Sequence, residues 1–312
     1  MTIMFLDIFL FVVALYIVVH GAMFATRYAG QLAKSFRLST YTTGFIIVAI
    51  ISILPETFIA INAAVEGVPA FGFGMLLGSN VADLTIVFAT VILLSRRPLK
   101  VEYKILKNHT YYPFVLVLPI ILGLDGHLSR PEGAALMIAG AVFYYIALKH
   151  GKSDDTAHYY TAKRLKTFLN LLLSMVGILV GAHFTVTAAT NLATALGINS
   201  VLIGMLVVSL GTTLPVFFFS LKAVKTNDDS LAIGDILGTV LADATIVVGL
   251  LALISPFSFP HIIIYVAGVF MVAAAFILFS FMRSGRAITG REAFALFIFW
   301  ITFVLVESIV NL

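Results

Sequence analysis

Long apolar runs separated by short polar breaks recur from one end of the chain to the other. A helix needs about 20 predominantly apolar residues to cross a bilayer. Ten stretches meet that length or approach it, at residues 3–26, 39–67, 70–95, 110–125, 131–150, 165–193, 198–224, 229–255, 260–283 and 290–311. The pattern predicts an all-α membrane protein of ten transmembrane helices. No charged leading segment or small-residue cleavage site accompanies the first stretch, so it is expected to stay in place as a span. The longest polar stretch, 151–166, is read as a cytoplasmic linker between residues 1–150 and 167–312. Five helices on each side give the halves opposite orientations, so the expected architecture is two inverted five-helix repeats.

The repeat is legible residue by residue. An offset of 160 places Gly21, Ala22 and Phe24 on Gly181, Ala182 and Phe184, and Gly44 on Gly204. It places Leu54-Pro55 on Leu214-Pro215, Gly74 and Gly78 on Gly234 and Gly238, and Ala82-Asp83 on Ala242-Asp243. Leucine and valine matches arise by chance in so apolar a chain, whereas shared Pro, Gly and Asp at one fixed offset do not. Proline removes a backbone donor and crowds the preceding turn, so Pro55 and Pro215 are expected to break or kink their helices. Carbonyls freed at mid-membrane are tolerated where they line a cavity. The pairs Gly74/Gly78 and Gly234/Gly238 predict close helix packing.

Composition and charge sharpen the picture. The 312 residues are 61% hydrophobic and 11% charged, against roughly 25% charged in soluble domains, which leaves too little polar surface for a water-facing globule. There is no cysteine, which excludes disulfides, thiolate metal sites and cysteine nucleophiles. The net charge of +4 comes from Lys and Arg between the apolar runs, so it reports orientation and not nucleic-acid binding. The loops after odd-numbered runs hold Arg27, Lys34 and Arg37; Arg96, Arg97, Lys100, Lys104 and Lys107; Lys149, Lys152, Lys163, Arg164 and Lys166; and Arg283, Arg286 and Arg291. The positive-inside rule then puts both termini outside the cytoplasm of a cell membrane. The sequon at Asn108 falls on the cytosolic side in this orientation and is set aside.

Of the fifteen acidic residues, Glu56, Asp83 and Asp243 lie deep within predicted spans. A carboxylate at bilayer depth costs roughly 2.5–3.5 kcal/mol even on the lenient insertion scale, so three of them imply a shared cation or proton. Ser52, Ser79 and Thr239 each stand four residues before one of these acids, on the same helix face. Hydroxyl and carboxylate oxygens are the ligands hard cations take. Thr212 has Val216 four residues on, so the fourth carboxylate is missing. Asp235 is read as an acid favouring the start of its helix or lining an entrance, with Thr239 and Asp243 on the same stripe. His183 is read as a packed or hydrogen-bonded residue deep in a span, and Glu307 as reaching water near the end of the last helix. No His-Glu-x-x-His set, activated nucleophile or ATP-binding motif is present, which argues against an enzyme or a primary pump. A single-chain inverted repeat argues against a channel built by oligomerisation.

Leu54-Pro55-Glu56 with Gly78-Ser79-Asn80-Val81-Ala82-Asp83, and Gly211-Thr212-Thr213-Leu214-Pro215 with Gly238-Thr239-Val240-Leu241-Ala242-Asp243, resemble the α-repeats of the cation/calcium antiporter superfamily. Within it, the sodium/calcium exchanger branch is most similar, and Gly126 to Gly133 looks like the segment before that family's fifth helix. The resemblance implies metal ligands at Ser52, Glu56, Ser79, Asp83, Thr212, Thr213, Thr239 and Asp243. It implies a secondary antiporter that exports a divalent cation, calcium first, against sodium by alternating access, with no cofactor and with inorganic cations and the lipid bilayer as partners. In that family the first and sixth helices move against the other eight. The sequence departs from the family pattern at Val216, where a second Glu is expected, and at Ile53, Met75, Asp235 and Asp83. Magnesium or manganese as substrate, and protons as the coupling ion, therefore stay open.

Overall fold

The computed structural model describes residues 2–33, 40–102, 111–150, 164–197 and 200–310. Expectations on other residues lie outside it, including most of the 151–166 linker, the Asn108 sequon, and Lys34, Arg37, Lys104, Lys107, Lys152 and Lys163. Helix falls on every predicted stretch. In chain order these are α1 (Thr2–Ala33), α2 (Gly44–Ser52), α3 (Leu54–Val65), α4 (Pro69–Ser95), α5 (Tyr112–Leu122) and α6 (Arg130–His150), then α7 (Arg164–Leu196), α8 (Ser200–Lys225), α9 (Asp229–Ile254), α10 (His261–Gly285) and α11 (Gly290–Val310). Among the described residues seven helices, α4 and α6 to α11, are long and apolar enough to cross a membrane, and the bent pair α2–α3 makes eight. The apolar stretch of α1, Leu6–Gly21, and α5 are shorter, so the number of crossings seen is seven or eight where the sequence predicts ten.

The two prolines expected to interrupt their helices differ. Pro55 lies in the first turn of α3, where its missing N–H has no helical partner to lose, and the axis bends by 44° at Ile53. Pro215 instead sits inside the continuous helix Ser209–Lys225. The helix is therefore not broken at Pro215, although the ring still removes one backbone donor there. Departures from α-helix occur as π-helical turns at Thr43–Val48 at the start of α2, Asp83–Val87 in α4, Gly204–Val208 in α8, Asp243–Val247 in α9 and Ile264–Gly268 in α10.

Helices α4 and α9 form the centre, with 83% of their spanning residues buried, whereas α6 and α11 are buried over only 22% and lie outermost. Glycine makes the central approach possible. A side chain at Gly78 would run into the Met205 carbonyl of α8, and one at Gly238 into the Phe45 carbonyl of α2. These contacts are related by the sequence offset, because residue 45 corresponds to 205 and 78 to 238. The same exchange holds for Gly44 against Leu231 and Gly204 against Phe71, and for Gly21 against Ser174 and Ile178 and Gly181 against Ala14 and Val18. In these couples a contact made between the halves recurs with the two repeat positions exchanged, α4 on α8 as α9 on α2, while α1 and α7 pack on each other. Two short antiparallel pairings tie the ends together, β1 (Leu99–Lys100) with β4 (Ala287–Ile288) and β2 (His127–Leu128) with β3 (Phe257–Ser258).

Candidate functional site

Three of the backbone irregularities fall at predicted ligands. The bend leaves Ser52 at the end of α2 and Glu56 in the first turn of α3, where unpaired backbone N–H groups favour an acid. Asp83 and Asp243 each begin a π-helical turn, a local widening that recurs at functional sites. The carbonyls of Leu237 and Gly238, just before the second of these turns, receive 2.6 Å hydrogen bonds from the buried hydroxyls of Tyr112 and Tyr144.

All eight predicted ligands are inside the protein. Ser52, Glu56, Ser79, Asp83, Thr212, Thr239 and Asp243 have no exposed surface, and Thr213 has 3%. Both carboxylate oxygens of Glu56, Asp83 and Asp243, and the hydroxyl of Thr239, have no hydrogen-bond partner among the described residues. Burying a charge without compensation costs several kcal/mol, so three such groups in one region call for positive charge. The hydroxyls are oriented to supply more oxygen. Ser79, Thr212 and Thr213 donate their protons to the carbonyls of Leu76, Ser209 and Leu210, each at 3.0 Å. Their lone pairs are left for a cation.

The spacing of four places an acid and its hydroxyl on one helix face. Hydroxyls also reach the acids from the other half: Ser79 faces Asp243, and Thr212 faces Glu56. Glu56, Asp83 and Asp243 lie within one another's electrostatic field. Among the described residues, no three acidic or histidine side chains are drawn together closely enough to hold a metal ion by themselves. Any cation here would be shared with hydroxyl and carbonyl oxygens. An all-oxygen set without thiol or imidazole suits sodium, calcium or magnesium and not zinc or copper.

Asp235, read from sequence as lying at a helix start or an entrance, is fully buried. It accepts hydrogen bonds from Ser52 at 2.9 Å and Ser220 at 3.4 Å. The stripe Asp235, Thr239, Asp243 is the sequence signal that points inward. Asn80 is absent from the predicted set, yet it is fully buried with both amide atoms unpartnered among the described residues, and only its place beside Ser79 hints at it. One other expectation is overturned: Glu307 is fully buried, because its face of α11 turns inward. His183 is exposed on α7 with its Nδ1 3.0 Å from Glu66 Oε1 at the end of α3, which fits the hydrogen-bonded reading and not the packed one, since apolar sequence neighbours do not decide which face a residue occupies.

Comparison with known proteins bears on the fold and the family. An uncharacterized membrane protein of Methanocaldococcus jannaschii is 26% identical over 75% of this chain and 77% of its own length. The sodium/calcium exchanger MaX1 of Methanosarcina acetivorans is 25% identical over 92% of this chain and 94% of its own. The inner membrane protein YrbG of Escherichia coli is 26% identical over 79% of each. The solved structure of the sodium-calcium exchanger NCX_Mj, soaked with sodium and strontium, shares the fold with a TM-score of 0.72 at 23% identity, over 97% of this chain and 99% of that one. The sequence model of the family described as sodium/calcium exchanger protein matches residues 6–149 and 166–308. On that match, which covers most of both halves, the chain belongs to the sodium/calcium exchanger protein family.

Proposed function

We propose that the chain is a secondary antiporter that exports calcium in exchange for sodium, binding both between two inverted repeats, 1–150 and 167–312, joined by a cytoplasmic linker at 151–166. Both termini lie outside the cytoplasm in this reading, which follows from the basic loops. The observation that carries the function is the set of three fully buried carboxylates, Glu56, Asp83 and Asp243, with no hydrogen-bond partner among the described residues. Hydroxyls with their protons turned to the backbone surround them. Ser52, Ser79, Thr212, Thr213 and Thr239 complete the ligand set. The exchange of packing partners at an offset of 160 supports the inverted repeat, and the family to which the chain belongs supports exchange over channel flux or enzymatic chemistry.

The test is a flux measurement. Vesicles containing the purified chain and loaded with calcium should release it when an inward sodium gradient is applied. No release of any divalent cation under sodium or proton gradients would remove the exchanger reading. A second reading, magnesium or manganese exchange, is favoured by the buried Val216 standing 160 residues from Glu56. A smaller ion with stricter octahedral demands can use fewer protein carboxylates. Release of these ions in preference to calcium would select it.

A further inference from the structure

The four buried acids at the centre divide sharply by their partners. Glu56, Asp83 and Asp243 present both carboxylate oxygens without a hydrogen bond among the described residues. Asp235 has one hydroxyl on each oxygen, Ser52 Oγ at 2.9 Å on Oδ1 and Ser220 Oγ at 3.4 Å on Oδ2, the latter shared with the Ala232 carbonyl. It also lies near enough to act electrostatically on Glu56 and Asp83.

The symmetry of the fold shows why this network stands where it does. Thr212 of the second half faces Glu56 of the first. The mate of Thr212 is Ser52, and the mate of Glu56 is Val216, which is fully buried and apolar. Ser52 therefore has no carboxylate at the position where its counterpart finds one, and its hydroxyl donates to Asp235 instead. Ser220, the other donor, lies one turn beyond Val216 on the same face of α8. The corresponding network in the first half would be Thr212, Met75 and Ala60, and two of its three members are apolar and buried. The acid missing from α8 and the acid gained on α9 thus adjoin the same serine-lined spot.

Resting on the exchanger reading above, we infer that Asp235 is a specificity-determining residue of this chain, restoring the negative charge absent at Val216 from behind two serine hydroxyls and without ligating the cation. A charge held this way attracts the ion through space. It leaves the ion's coordination to Glu56, Asp83, Asp243 and the hydroxyls, and it orients Ser52 by taking its proton.

Coulomb attraction scales with the charge of the ion, so loss of one fixed negative charge weakens a divalent cation twice as much, in logarithmic terms, as sodium. The experiment compares wild type with Asp235→Asn, which keeps the shape and an acceptor for Ser52 but removes the charge. Calcium-dependent exchange is measured in vesicles, with KM for calcium and half-saturation for sodium determined separately. The expected result is a rise of roughly tenfold for calcium and about threefold for sodium, with the maximum rate largely retained. Adding Val216→Glu in the Asp235→Asn background should bring the calcium KM back toward wild type. If Asp235→Asn fails to fold, Asp235→Ser, which also removes the charge while keeping a hydroxyl between Ser52 and Ser220, should raise the calcium KM about threefold more than that for sodium is raised.

Equal rises for both ions mean a structural role and overturn the inference, as does an unchanged calcium KM. Complete loss of transport in a folded Asp235→Asn protein, matching Glu56→Gln, makes Asp235 a direct ligand and also overturns it. A wild-type chain that moves no divalent cation overturns the exchanger reading and this inference together. Wild-type exchange beside an unaltered Asp235→Asn variant overturns the inference alone.

Discussion

Ser52 and Asp235 stand 183 residues apart in the chain, and Ser52 Oγ donates to Asp235 Oδ1 at 2.9 Å with both residues fully buried. The bond fastens the bend at the end of α2 to the first part of α9, ahead of the π-helical turn that begins at Asp243.

Glu56→Gln and Asp243→Asn should each abolish calcium exchange. They should also raise the melting temperature of the ion-free protein, because each removes a buried charge that has no hydrogen-bond partner among the described residues. The stabilisation that calcium confers on wild type should shrink in both. Thermal denaturation in detergent with and without calcium checks this. An ion-free melting temperature that falls in both variants would contradict the unpaired state of these groups.

Tyr112→Phe and Tyr144→Phe leave the carbonyls of Leu237 and Gly238 without their hydroxyl donors. Each should destabilise the protein by about 1 kcal/mol. Because these carbonyls precede the turn that carries Asp243, calcium KM should rise as well. No tyrosine occupies the matching positions in the second half, where Val272 and Val304 are the mates, so Val272→Ala and Val304→Ala should leave KM unchanged.

Gly78→Ala and Gly238→Ala should be destabilising to a similar degree, about 1–3 kcal/mol each. In both, the new methyl meets a backbone carbonyl, of Met205 or Phe45, which cannot swing away as a side chain would. Parallel melting curves of the two variants test the equivalence.

Two ion pairs at the ends of the helices should respond very differently. Arg97 forks onto Asp229 at 2.5 and 2.8 Å, and the same carboxylate accepts the Lys100 N–H. Asp229 is 8% exposed, and its hydrogen bonds hold the Arg97 guanidinium above its ordinary pKa. Arg97→Ala should cost about 2 kcal/mol by stranding a mostly buried carboxylate. Glu66→Ala, which breaks the more exposed pair with His183, should change stability by about 0.5 kcal/mol or less. Denaturation of both variants decides the ranking.

Much of this is legible in the residues alone. A carboxylate inside an apolar run is conspicuous, so Glu56, Asp83 and Asp243 stand out by charge. The glycine contacts stand out because the offset of 160 repeats them. Asp235 is hidden because depth along a helix does not tell which way a side chain faces, and Ser52 and Ser220, which bury it, arrive from other helices. His183 misleads for the same reason in the opposite sense, exposed despite its apolar neighbours. Pro55 and Pro215 look alike in sequence, yet only the first stands at a helix start, while removal of one donor does not interrupt α8.

The exchange of contacts between repeat mates has a bearing on how the chain can be divided. Gly78 needs Met205, and Gly238 needs Phe45. A fragment ending in the linker would carry one member of every such couple and expose the surface meant for the other. The primary structure separates into two similar halves, but the interior belongs to neither. Each half serves as the mould for the other.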